Sequence, residues 1–171
     1  MTTTTVFALS LALAAPALQA QHEGCPHHAA PAPDAKHGEH VDARGDEVMG
    51  FSHEKTAHHF LLAKDGGSIE VTAIDAKDAD SLAAIRRHLS SAVEAFRNGD
   101  FEMPHAVHGV VPPGVPALKT LKGAVEYVYE PLEGGGRVTL RTASREGITA
   151  IHEFLVFQIE EHRTGDPKTA P

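Results

Sequence analysis

Two stretches of the chain carry apolar residues at three- and four-residue steps, the spacing that gathers them on one face of a helix. In the first, Leu82, Ile85, Leu89, Val93 and Phe96 share a face, with Asp78 or Asp80 placed to cap the start and Asn98-Gly99 to end it. In the second, Ile148, Ile151, Leu155 and Ile159 do the same over residues 148–163, with Ser144 as N-cap. Each predicted helix follows two stretches of strand type. Residues 56–63 and 68–74 flank Lys64-Asp65-Gly66-Gly67, whose Asp-Gly step signals a hairpin. Residues 124–129 and 137–142 flank the loop Leu132-Glu133-Gly134-Gly135-Gly136.

The order strand, turn, strand, helix therefore occurs twice. Ile85, Leu89, Val93, Arg97, Gly99 and Asp100 align without gaps on Ile151, Leu155, Ile159, Arg163, Gly165 and Asp166. This pattern predicts one α+β domain over residues 48–168. It would be a duplicated β-β-α unit, forming a four-stranded antiparallel sheet with two helices on one face. Pairing around Asp65-Gly66 sets Leu62 opposite Ile69 and Phe60 opposite Val71. His58, Phe60 and Leu62 then face the helices, by the two-residue period of a strand. His59, Leu61, Glu70, Thr72, Glu126, Val128, Thr139 and Arg141 alternate onto the open face, which offers a surface for a homodimer.

Upstream of the domain the pattern changes. Residues 6–18, from Val6 to Leu18, are an apolar run too short to span a bilayer and of the length of a signal-peptide core. No Lys or Arg precedes it. Residues 1–20 are read as a signal peptide cut after Ala20, with Ala17 as the alternative. The mature protein is then expected to be periplasmic or secreted, without membrane contact. Residues 21–47 carry His22, Cys25, His27, His28, His37 and His40 among Ala, Pro, Gly and acidic residues, with no apolar period. They are read as a flexible tail able to collect ions.

Composition narrows the function. A chain of 171 residues, 42% hydrophobic, suits a single core. A formal charge of −8 without a dense Lys/Arg cluster argues against nucleic acid. The single cysteine excludes an intramolecular disulfide. No Gly-x-Ser-x-Gly turn is present, and Gly134-Gly135-Gly136 joins two strands and does not open a helix. Thirteen histidines are the anomaly.

With the two units parallel, His152 in the second turn of the last helix comes to the same end of the sheet as His58. The Pro- and Gly-rich segment 101–116 would bring His105 and His108 to that end. The predicted metal site is thus His58, His105, His108 and His152, for copper or zinc, with Met49 as a soft axial ligand for copper. His162 lies about 15 Å further along the helix axis than His152 and is excluded, as a packed residue. His88, beside Arg86 and Arg87, is read as structural, and His53 as solvated. The favoured function is an exported metal-binding protein and not an enzyme. Two alternatives remain: a metal-dependent hydrolase with Glu153 as general base, and a non-catalytic interaction module using the open sheet face.

The strings Met49-Gly50-Phe51, Thr56-Ala57-His58-His59-Phe60, His152-Glu153-Phe154-Leu155 and Phe157-Gln158-Ile159-Glu160-Glu161-His162 resemble a family of small exported bacterial proteins of unknown function. The resemblance covers the chain from Met49 to Asp166. It implies that the domain stands alone, and it assigns no functional residue.

Overall fold

The computed structural model of the protein describes Met1 and residues 35–171. The chain divides into two units, residues 1–31 and 32–171, and every element named below belongs to the second. The signal peptide assigned to residues 1–20, and His22, Cys25, His27 and His28 of the tail, lie outside the described residues. Among the described residues, no helix is long and apolar enough to cross a membrane.

Two hairpins build the sheet. β1 (Thr56–Ala63) pairs with β2 (Gly66–Ala73), and β3 (Glu126–Leu132) with β4 (Gly135–Arg141). The inner strands β2 and β4 join antiparallel, giving the order β1-β2-β4-β3. α2 (Ala79–Arg97) follows the first hairpin and α5 (Arg145–Glu161) the second, so the α+β class read from the sequence holds. The caps are the residues the pattern named: Asp78 accepts from the Ser81 amide and Ser144 from the Gly147 amide. Phe60, Val71, Val138 and Leu140 of the sheet are buried against Ile85, Leu89 and Val93 of α2 and Ile151, Phe154 and Leu155 of α5. The opposite face is polar. Arg137 there reaches Glu70 at 2.8 Å and Glu130 at 3.9 Å, beside an exposed Leu61.

The structure departs from the sequence reading in four places. The first is register. The loop is Lys64-Asp65 alone, so Phe60 faces Ile69 and Leu62 faces Gly67. A slide of two residues preserves side-chain parity, which is why every assignment to the helix face survives. Gly66 has φ +146°, and a Cβ there would collide with the Leu140 carbonyl. Glycine at this point serves the close approach of β4 and is not spent on the turn.

The second departure is direction. Because β2 and β4 run antiparallel, the two units lie head to tail and not parallel. α2 starts at the end of the sheet where Thr56 pairs with Ala73, and α5 starts at the opposite end, where the Thr142 amide donates to the Asp65 carbonyl at 3.0 Å. The unit is therefore repeated in element order while its aligned positions differ in use. Arg97 donates to the Tyr127 carbonyl, whereas Arg163 pairs with Asp42.

The third is the tail. From Ala35 the chain is helical: α1 spans Ala35–Met49, and Val41 is fully buried. The helix carries few apolar residues and is fixed mainly by polar contacts. Arg44 Nε donates to the Val107 carbonyl at 2.7 Å, Asp42 accepts from Arg163 at 2.6 Å, and His37 pairs with Glu161 at 2.8 Å. The fourth is the connecting segment, which holds two short helices, α3 (Glu102–His108) and α4 (Val115–Thr120).

Leu155 is fully buried, so Leu155→Ala should destabilise the domain by about 2–5 kcal/mol in urea denaturation. A change below about 1 kcal/mol would contradict this packing.

Candidate functional site

Beneath α1 and α3 the domain forms a partly open cavity of about 70 Å³. Its polar lining is His58 of β1, His88 of α2, His108 of α3, Gln158 of α5 and His162 just past the end of α5. Met49 closes α1 and Met103 lies in the first turn of α3, and both line it. The rest of the lining is apolar, including Phe60, Val71, Phe96, Val138 and Phe154.

Three of the four imidazoles form a chain of ring contacts. His58 stacks on His162 with centroids 5.3 Å apart and planes 11° apart. His108 meets His162 edge-on at 5.1 Å. His88 stands behind Phe51, which meets His88 edge-on at 5.6 Å and stacks on His58 at 5.9 Å. Among the described residues, the side chains of His58, His88 and His162 make no hydrogen bond, and Nε2 of His58 is fully buried without a partner. Buried polar atoms are almost always paired, so an unpaired imidazole nitrogen calls for an explanation.

His108 is different. Its Nε2 lies 2.9 Å from Gln158 Oε1, and Glu161 stands 3.5 Å from its Nδ1 without forming a hydrogen bond. Turning the Gln158 amide about its own axis lets its NH₂ donate to His108 Nε2, which leaves Nδ1–H for Glu161. His108 is thus a ring that the protein alone can satisfy.

Burial holds these rings neutral. It pushes His88 down to about 4. It does the same to His58, also to about 4, helped by charge on His88 and His59 and opposed by Asp46. His162 falls well below the usual range through burial, then through the neighbouring His58, His108 and Arg163. His108 is lowered by burial, against the pull of Gln158 and Glu161. Neutral imidazole is the form that accepts a proton or a metal ion.

Of the four histidines assigned from sequence, His58 and His108 meet at this cavity. His105 does not: it is exposed on α3, with Nδ1 3.4 Å from Glu102. Neither does His152, whose Nε2 lies 2.8 Å from the Ala63 carbonyl and 3.0 Å from that of Gly66. It braces the first hairpin at the far end of the sheet, a consequence of the head-to-tail arrangement of the units. Glu153, beside it, is exposed. His162, read as packed and left out of the cluster, lines this cavity, since the end of α5 and not its start reaches His58. His88 and His162 carried a periodic signal. His88 is three residues from Ile85, and His162 is four from Gln158 and eight from Phe154, all buried. Among the described residues, no group of three or more His, Cys, Asp or Glu side chains is arranged to hold a metal ion.

The depressed histidines set a pH dependence. In the unfolded chain they take up a proton near 6.5, whereas His58 and His88 in the fold do so only near 4. The unfolded state binds more protons between these values, so stability is complete above about 6.5 and falls as pH drops toward 4. Each ring contributes at most about 1.4 kcal/mol per pH unit in that window. Urea denaturation at a series of pH values should show this slope, and His88→Phe should flatten it. No protein-family model matches this chain, and neither a curated protein nor a solved structure is significantly similar to it.

Proposed function

We propose that this is a metal-binding protein, not an enzyme, and that it takes copper or zinc at the cavity lined by His58 and His162. The observation that carries the reading is the unpaired Nε2 of His58, buried beside a second imidazole that also makes no hydrogen bond. A bound cation would supply the partner these nitrogens lack. The cavity has room for an ion, since a single water needs only about 10–15 Å³ of such space. Acid should release the ion, because protonated imidazole cannot coordinate. Export rests on the apolar run at residues 6–18 and belongs to the same proposal. The hydrolase reading finds little support, since Glu153 is exposed and does not line the cavity.

Titration of the full chain with copper and zinc tests this. His58→Phe and His162→Phe keep an aromatic ring for packing and remove the nitrogen donors. Each should lose one equivalent of bound ion relative to the parent chain. His105→Ala and His152→Ala should lose none at the cavity. Equal stoichiometry in all four variants would sink the proposal.

A further inference from the structure

We infer that the cavity is selective for cuprous ion and that the thioethers of Met49 and Met103 are ligands to it. This inference rests on the metal-binding reading above and names the ion and two further donors.

The donors are arranged in two groups. His58 and His162, which lack hydrogen bonds, belong to β1 and the end of α5. Met49 and Met103 belong to α1 and α3, two helices that pack on each other. Apart from the start residue Met1, these are the only methionines of the chain, and both line the same cavity as the imidazoles. Methionine elsewhere is a filler of apolar gaps. In a cavity that also holds an imidazole nitrogen without a partner, it is available as a soft donor.

Zinc in a protein is held by about four ligands from thiolate, imidazole and carboxylate. The described residues offer no group of three such side chains, and Glu161, the carboxylate beside His108, is engaged by His37. Cuprous ion accepts thioether sulfur and is content with few ligands. The apolar walls favour the same choice. A singly charged ion in a site of neutral donors keeps less net charge away from water than a divalent one does.

The test uses the full chain under anaerobic conditions, with cuprous ion and zinc as the probes. Competition against a chromophoric cuprous chelator gives the affinity of the parent chain and of the Met49→Leu/Met103→Leu variant, a near-isosteric change. Cuprous affinity should fall about tenfold or more while any zinc binding is unchanged. Because Cys25 can add sulfur elsewhere, the direct readout is selenium absorption spectroscopy on selenomethionine protein without any substitution. A copper neighbour should appear at selenium in the parent chain and vanish in the double variant. Unchanged cuprous affinity, or no copper at selenium, overturns the inference. If His58→Phe and His162→Phe still lose an equivalent in that case, the metal-binding reading stands without the methionines. If those variants lose nothing, both fall together.

Discussion

The antiparallel seam between β2 and β4 decides where every later residue goes. Each hairpin is locally determined, since its loop of two residues fixes its own pairing. How the hairpins meet is not local. Joined through their second strands, they present the same helix-bearing face but oppose each other end for end. α2 and α5 consequently start from opposite ends of the sheet. The end of α5, and not its start, arrives at the first residues of β1. His162 is set against His58 by this, and His152 is sent to the far hairpin. The glycines along the seam permit it: a Cβ at Gly66 would strike the Leu140 carbonyl, and one at Gly135 the Val71 carbonyl. A side chain at either position would push the two halves apart.

Much of the domain was legible because it rests on periods that local sequence carries. Strand alternation assigned His58, Phe60 and Leu62 to one face and His59 and Leu61 to the other. That held even though the pairing slid by two residues. Helix spacing gave α2 and α5, and side-chain chemistry gave the caps at Asp78 and Ser144. The site was only half legible, because it is made of tertiary placement. His58 and His108 are common to the sequence reading and to the cavity. The choice between His152 and His162 turned on the relative direction of two units, which no periodicity encodes. α1 escaped for a different reason. A helix held by Arg44, Asp42 and His37 to partners 63, 121 and 124 residues away has no apolar stripe to announce it.

The cover of the cavity and its contents are chemically joined at Glu161. One oxygen of that carboxylate lies 2.8 Å from His37 of α1 and 3.5 Å from His108 of α3. His37 is on the surface and His108 is buried, so a single acid group connects a solvent-facing ring to a cavity-lining one. Arg163 binds Asp42 one turn further along α1 and also depresses the neighbouring His162. Groups in the polar contacts that hold α1 thus also act on the cavity histidines, whose charge state burial sets first.

The histidines themselves make the strongest case that the cavity has a purpose beyond packing. An unpaired buried polar group costs about 1–3 kcal/mol, against a total stability of about 5–15 kcal/mol for a domain. Phenylalanine would serve the same contacts without that cost. It already stacks in this cluster at Phe51 and Phe60, and Phe96 occupies the position that aligns with His162 in the first unit. The ring shape is therefore met by a cheaper residue at neighbouring and equivalent places. What imidazole adds at position 58 is a buried nitrogen with no partner in the protein, and at 88 and 162 a ring that burial keeps neutral. The only uses of its nitrogen lone pair are to take a proton, accept a hydrogen bond or hold a cation. The first is opposed by burial, which holds all three rings below the usual histidine range. The second is unfilled within the protein at His58 Nε2, and that nitrogen is the observation on which the proposed cation rests.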